Sequence, residues 1–142
     1  TLILHDVYGP RDWREKLIAA VSRAQKSGEP LPLPDEDMAI DLVYIDDVIR
    51  AFGTAAQLLY DAPDSVNAKH FYVGSGNSVH LSDVVTMFEK INGRTIKTKS
   101  GVFNLPKRRI TVPWRGEMLP GWVPETSLEQ GIRNYLSDGG GS

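Results

Sequence analysis

The chain alternates between short β-rich apolar runs and longer segments in which apolar residues recur at helical spacing. Apolar runs flanked by turn residues are typical of strands, and apolar positions three and four apart are typical of helices. The predicted strands are residues 1–7, 31–34, 40–45, 70–74 and 95–100. The predicted helices are residues 14–26, 46–59, 82–91 and 127–136. Because strands and helices alternate, the pattern predicts an α/β fold.

Residues 40–52 carry the clearest of these signals, a buried strand that runs directly into a helix. Two acids, Asp46 and Asp47, stand at the junction, and one of them is expected to cap the helix N-terminus. A general acid/base pair or a metal site is the alternative interpretation, although adjacent residues at a helix start point apart. The helix carries apolar residues on several faces, so we expect it to be well buried.

The later helices have their own start signals. Ser82 is expected to cap the helix at residues 82–91. Ser127 is expected to cap the last helix, with Gln130 three residues on completing a capping box. Residues 105–124 hold four prolines and are predicted to be irregular, with a short strand at residues 109–112.

The composition of the 142 residues is that of a globular domain, with 41% apolar residues, 24% charged residues and a formal net charge of -2. This balance argues against non-specific nucleic-acid binding, which requires a basic surface. No apolar run approaches the roughly 20 residues of a membrane span. The chain lacks cysteine, which suits a cytoplasmic protein. We assign residues 1–138 to one domain and residues 139–142, Gly-Gly-Gly-Ser, to a flexible tail.

Dinucleotide and metal motifs are missing from the sequence. Gly74 and Gly76 do not continue into a G-x-G-x-x-G turn, because the third position holds Val79, and a plain turn is the better interpretation. None of the five tyrosines is followed four positions later by lysine. The histidines are scattered without the spacing of metal ligands, at His5, His70 and His80.

Two loops carry basic residues that suit an anionic ligand. Arg11 follows the Tyr-Gly-Pro motif of residues 8–10 at the entry to the first predicted helix, where backbone N–H groups and the helix dipole favour a phosphate. Arg108 and Arg109 lie in a proline-rich stretch, and clustered guanidinium groups in a stiff loop suit a diphosphate. A solvated basic loop is the alternative, and the residues alone leave it open.

Taken in order, several motifs resemble the C-terminal half of the extended short-chain dehydrogenases, the NAD(P)-dependent nucleotide-sugar epimerases, dehydratases and reductases. The motifs are D-V-Y-G-P at residues 6–10, G-E-P-L-P-L at 28–33, the strand–helix signature at 40–52, H-F-Y-V-G-S-G at 70–76 and V-P-W-R-G-E-M-L-P-G-W at 112–122. They are most similar to those of the CDP-abequose and CDP-paratose synthase-like reductases. The resemblance implies the substrate-binding portion of a Rossmann-type enzyme without its dinucleotide-binding half.

The resemblance also implies roles for individual residues. Tyr8 would contact NAD or NADP, which the missing half would mainly hold. The residues implied to contact a nucleoside-diphosphate sugar are Asp6, Arg11, Leu33, Arg108 and Arg109. Leu33 would lie beside the base and Arg108 at the diphosphate. Many family members carry arginine where this chain has Ile40, so one diphosphate contact is expected to be absent unless Arg108 or Arg109 replaces it.

Three hypotheses follow. The preferred one is the nucleotide-diphosphate-sugar-binding part of an NAD(P)-dependent oxidoreductase, epimerase or dehydratase, not catalytic alone. The second is a stand-alone binding or interaction module derived from that fold, and the third is an unrelated α/β domain with a basic surface loop. Under the first hypothesis, the strands at 1–7 and 70–74 would present unpaired edges and bare apolar faces without the missing half. We therefore expect the isolated chain to be marginally stable or to self-associate.

Overall fold

The computed structural model describes residues 1–12, 14–36, 38–101, 113 and 115–139, and within them seven strands and five helices confirm the predicted α/β class. The strands are β1 (Leu2–Leu4), β2 (Asp6–Tyr8), β3 (Leu31–Leu33), β4 (Ala39–Tyr44), β5 (Phe71–Val73), β6 (Ser78–His80) and β7 (Thr98–Ser100). The helices are α1 (Leu17–Ser27), α2 (Ile45–Asp61), α3 (Pro63–Val66), α4 (Leu81–Asn92) and α5 (Leu128–Ser137). The strand predicted at residues 109–112 lies outside the described residues.

The strands form three small sheets, and the first predicted strand changes partner halfway along. β1 pairs in parallel with β5, whereas β2 pairs in parallel with β4, which also pairs antiparallel with β6. The predicted single strand at residues 1–7 is therefore two strands separated by His5. The His5 N–H still bonds to β5, because it donates a hydrogen bond to Val73 O. The short strands at residues 31–34 and 95–100 are confirmed as the parallel pair β3–β7.

Two predicted helix caps are wrong, and one is confirmed. α2 begins at Ile45 directly after β4, so Asp46 and Asp47 lie inside its first turn and Tyr44 takes the N-cap position without a side-chain bond. α4 has His80, not Ser82, at its N-cap position. At α2 no polar capping residue separates β4 from the helix, whereas at α4 His80 takes the N-cap position and Asp83 Oδ2 accepts a hydrogen bond from His80 N at 3.3 Å.

Ser127 is the N-cap of α5, as predicted, and its Oγ accepts a hydrogen bond from Gln130 N at 3.2 Å. The Gln130 side chain does not close the predicted capping box; its Nε2 donates to Asn134 Oδ1 at 2.8 Å. α1 ends as predicted at Gly28, whose φ of 75° is a left-handed conformation that favours glycine.

The buried apolar side chains form two clusters. The first packs α1, α4 and α5 around β3 and β4, and it includes Val21, Phe88 and Ile132. The second lies between α2 and β5, and it includes Val43 and Trp122. Within the described residues, no helix is both long enough and apolar enough to cross a lipid bilayer.

The expectation that α2 is well buried is wrong. Its Val48 and Ala51 side chains are buried, but Ile49, Phe52 and Leu59 are 61%, 54% and 56% exposed. The described residues therefore cover only part of the apolar surface of this helix.

Candidate functional site

Two adjoining cavities form a groove beside α1. One has a volume of ≈540 Å³ and lies between α1 and β3, and we call it the β3 cavity. The other has a volume of ≈650 Å³ and lies beside β1 and the start of β4, and we call it the β1 cavity. Met38 and Leu81 line both cavities. We refer to the two together as the α1 groove.

The β3 cavity has mainly apolar walls. Leu31 and Leu33 of β3 stand with three prolines on one side, and Leu17 and Ala20 of α1 stand on the other. The predicted site residue Leu33 therefore lines this cavity. An apolar slot between a helix and a proline-stiffened strand suits a flat ring, because burial of the ring faces needs no polar partner.

The β1 cavity also has mainly apolar walls, with Asp6 and Lys16 among them. Asp6, a predicted site residue, lines it, and the Asp6 carboxylate forms an ion pair with Lys16 Nζ at 3.7 Å. Both side chains are about half exposed, at 57% for Asp6 and 40% for Lys16. Ile40 lines the same cavity. The position at which the family resemblance implies an arginine therefore faces this groove.

Lys16 occupies the N-cap position of α1, and no acidic side chain stands in the first turn of that helix. The unpaired N–H groups of the first turn and the helix dipole add to the positive charge of the Lys16 ammonium group. Lys16 and the helix N-terminus therefore offer an anion positive charge here, which is opposed by the carboxylates of Asp6, paired with Lys16, and of Glu15 in the β3 cavity. Sequence reasoning missed Lys16, because its position beside Asp6 depends on where α1 lies in the fold.

The remaining predicted site residues lie elsewhere. Tyr8 is only 4% exposed and packs edge-on against Tyr44, with ring centroids 5.5 Å apart. Burial raises the pKa of the Tyr8 hydroxyl, and the neighbouring Tyr44 and Asp47 raise it further. Arg11 is exposed and has a positive φ of 62°; it lines a separate cleft of ≈330 Å³ together with Tyr8. Arg108 and Arg109 lie outside the described residues.

The turn after β5 is held by a buried acid that sequence reasoning missed. Asp41, at 1% exposure, accepts hydrogen bonds from Ser75 N at 2.6 Å and Gly76 N at 3.1 Å, and from the Tyr72 hydroxyl. Burial, followed by the bond to Asp41, raises the pKa of Tyr72 to about 12. The described residues do not fit a dinucleotide there, because the turn donates its N–H groups to a carboxylate, which leaves none to cradle a phosphate.

Asp47 is the second buried acid, at 0% exposure. Its two carboxylate oxygens accept hydrogen bonds from Glu125 N and Thr126 N, both at 3.1 Å, and Arg50 forms an ion pair with it. Its backbone oxygen accepts a hydrogen bond from Trp122 Nε1 at 3.0 Å. The carboxylate binds the 122–126 segment to α2, so its role is neither the predicted cap nor the alternative acid/base pair.

Comparisons with known proteins identify the family. The model of the NAD dependent epimerase/dehydratase family matches residues 1–74. The CDP-abequose synthase of Salmonella muenchen is 29% identical over 141 residues, which is 96% of this chain and 46% of that protein. The CDP-abequose synthase of Yersinia pseudotuberculosis is 42% identical over 50 residues, or 35% of this chain and 18% of that protein. The chain thus spans about half the length, or less, of these curated relatives.

Solved structures give the same fold. The UDP-glucuronic acid 4-epimerase of Bacillus cereus, in complex with NAD and a fluorinated UDP-sugar, superposes with a TM-score of 0.76 at 21% identity, covering 96% of this chain and 43% of that one. The UDP-glucose 4-epimerase of Thermotoga maritima, with UDP-glucose, superposes with a TM-score of 0.70 at 24% identity, covering 96% and 44%. The family model and these folds agree with the motifs in the sequence, and the chain belongs to the NAD-dependent epimerase/dehydratase family.

Proposed function

We propose that this chain is the nucleoside-diphosphate-sugar-binding part of an NAD(P)-dependent sugar-nucleotide oxidoreductase, epimerase or dehydratase, and that it is not catalytic alone. The observation that carries the proposal is the α1 groove, in which Lys16, at the N-terminus of α1, lines the β1 cavity together with Asp6, and the apolar β3 cavity adjoins it. A nucleoside-diphosphate sugar offers such a groove a flat base, an anionic linker and a polyhydroxyl ring.

Each part of such a ligand has a physical counterpart in the groove. The apolar β3 cavity, with Leu33 in its wall, suits the nucleobase. The Lys16 ammonium group and the free N–H groups of the α1 first turn suit the diphosphate. The Asp6 carboxylate in the β1 cavity suits sugar hydroxyl groups, which donate hydrogen bonds to it. In this arrangement Lys16 supplies positive charge beside Ile40, where this chain has no arginine.

The reaction and the cofactor belong to the whole protein and are part of the proposal. The sequence has no tyrosine followed four positions later by lysine and no G-x-G-x-x-G turn, so we assign NAD or NADP and the proton-transfer residues to another part of the enzyme. The contacts of Tyr8, Arg11, Arg108 and Arg109 with cofactor or substrate remain predictions. A cytoplasmic location, suggested by the lack of cysteine, remains one as well.

Calorimetric titration of the chain with CDP-glucose, dTDP-glucose and UDP-glucose tests the proposal. We expect saturable binding of at least one nucleotide sugar and weaker binding of the matching free nucleoside, because the nucleoside lacks the diphosphate. Lys16→Met should weaken binding by about 10-fold, which corresponds to about 1.4 kcal/mol for one partly exposed charge-assisted contact. Lys26→Met, at the opposite end of α1, is the matched control and should bind like the unmodified chain. Absence of binding, or equal weakening by both substitutions, would contradict the proposal.

A further inference from the structure

Prolines alternate with leucines along β3, at Pro30, Pro32 and Pro34. Among the described residues, β3 has one partner strand, the parallel β7. Leu31 N donates a hydrogen bond to Lys97 O at 2.7 Å, so the backbone groups of Leu31 point toward β7. Alternate residues of a strand point their N–H and C=O groups to opposite edges. The backbone groups of the three prolines therefore point away from β7, at the free edge of β3.

The free edge of β3 has hydrogen-bond acceptors and lacks backbone donors. Proline has no N–H group, so the prolines offer only their carbonyl oxygens at this edge. All three prolines line the β3 cavity, opposite the apolar wall that Leu17 and Ala20 of α1 form. A ligand edge that donates hydrogen bonds is therefore matched by this side of the cavity, and a ligand edge that accepts them is not.

The polar side chains around the cavity add further acceptors. The carboxylate of Glu29 lines it, and so does that of Glu15, which is paired with the Arg23 guanidinium group. Arg23 and Glu15 are both more than half exposed. Ser27 Oγ accepts a hydrogen bond from Glu29 N at 3.1 Å, and its own hydrogen can be donated. Among the described side chains that line the cavity, acceptors therefore outnumber donors that lack a partner.

We infer that the free edge of β3 selects the base of the nucleotide sugar, and that this base is cytosine rather than uracil or thymine. The pyrimidines differ at carbon 4, where cytosine has an amino group that donates hydrogen bonds and uracil and thymine have a carbonyl oxygen that accepts them. An amino group facing this edge donates to Pro32 O. A carbonyl oxygen in the same place meets other acceptors, and it loses its hydrogen bonds to water without replacement.

The inference rests on the proposed function, because it takes the β3 cavity as the site of the base. It goes further in naming Pro32 and Pro34 as the residues that set the base preference. The competing interpretation is that the prolines only protect an exposed strand edge, which cannot pair with another chain when it lacks N–H groups. Edge protection does not require prolines to line a cavity, and the two interpretations predict different effects of restoring one N–H group.

Calorimetric titration of the full-length protein with CDP-glucose and UDP-glucose tests the inference. These two ligands differ only in the groups at carbon 4 and nitrogen 3 of the base. We expect CDP-glucose to bind about 10-fold more tightly, because one ligand gains a hydrogen bond at the β3 edge where the other loses one. Equal binding, or tighter binding of UDP-glucose, would overturn the inference and leave the proposed function standing. Absence of binding by both ligands would overturn the two together.

Pro34→Ala restores one N–H donor at the free edge of β3. The new N–H donates to the carbonyl oxygen of uracil and opposes the amino group of cytosine, so the preference for CDP-glucose over UDP-glucose should fall by about 10-fold. Pro63→Ala, at the first position of α3 and away from the walls of the β3 cavity, is the matched control and should keep the preference of the unmodified protein. If both variants keep it, the prolines only protect the strand edge.

A change in the ligand gives a readout that does not depend on the folding of a variant. Replacement of the cytosine amino group of CDP-glucose by hydrogen removes both donors and leaves the ring, its nitrogen 3 and the sugar diphosphate in place. This analogue should bind the unmodified protein about 10-fold more weakly than CDP-glucose does. Equal binding of the two ligands would show that the amino group does not donate to the β3 edge.

Discussion

At the scale of single residues, two buried aspartates hold loops that have no regular structure of their own. Asp41 binds the turn at Ser75 and Gly76, and Asp47 binds the backbone of Glu125 and Thr126. Each carboxylate accepts hydrogen bonds from backbone N–H groups of the loop, which in a helix or a sheet would go to backbone carbonyl groups. The loop residues that they bind lie 34 or more positions away in the sequence, which is why local patterns assigned Asp47 a cap and Asp41 no role.

Removal of the Asp47 carboxylate should destabilise the fold. Asp47→Ala leaves the two backbone N–H groups of Glu125 and Thr126 without their acceptor and removes one of the two carboxylates paired with Arg50, and we expect a loss of about 2–4 kcal/mol in the free energy of unfolding. Urea denaturation measures this loss. Glu125→Gln is the control, because that side chain is 69% exposed in its ion pair with Arg50 and should contribute less than about 1 kcal/mol. Equal losses for the two variants would show that the buried bonds are not the source of stability.

The raised pKa of Tyr72 predicts a loss of stability at high pH. The folded chain holds this proton up to about pH 12, whereas the unfolded chain releases it near the ordinary value of about 10. Between these values the unfolded state binds fewer protons, so stability is complete below about pH 10 and falls as the pH rises toward 12. Tyr72→Phe should reduce the slope of stability against pH in this window. An unchanged slope would contradict the assignment.

At the scale of elements, the sequence predicted whether a segment is a strand or a helix better than it predicted which elements lie beside each other. The four predicted helices and the strands β3 and β7 lie close to where local patterns placed them, whereas α3, β6 and the pairing of β3 with β7 were not predicted. The division of the first strand at His5 depends on which distant strands, β5 or β4, lie alongside it. The exposure of α2 depends on which other parts of the fold pack against it, and the local sequence pattern does not contain that information.

Two helical glycines give a matched test of packing. A Cβ at Gly131 of α5 would collide with the Tyr8 hydroxyl, whereas a Cβ at Gly53 of α2 would meet open space. We expect Gly131→Ala to lower the free energy of unfolding by about 1–3 kcal/mol through overpacking. Gly53→Ala should raise it by about 0.5–1 kcal/mol, because alanine favours the helix. Thermal and urea unfolding measure both. If Gly131→Ala is also stabilising, α5 does not pack against Tyr8 in this way.

At the scale of the whole molecule, the candidate site combines residues that sequence reasoning found with one that it missed. Asp6 and Leu33 were predicted through family resemblance, and both line the α1 groove. Lys16 was missed because its importance depends on α1 placing it opposite Asp6, which spacing along the chain does not reveal. Tyr8 was predicted from the same motif as Asp6, yet its burial places its ring in the core.

A nuclear magnetic resonance titration of the isotopically labelled chain with CDP-glucose locates a bound nucleotide sugar residue by residue. If the α1 groove binds the ligand, the amides of Asp6, Lys16, Leu17 and Leu33 should show saturable shifts. The Ser75–Gly76 turn, whose N–H groups are bonded to Asp41, should change little. No shifts with CDP-, dTDP- or UDP-glucose, or shifts confined to residues outside the α1 groove, would contradict the claim that this chain binds the nucleotide sugar.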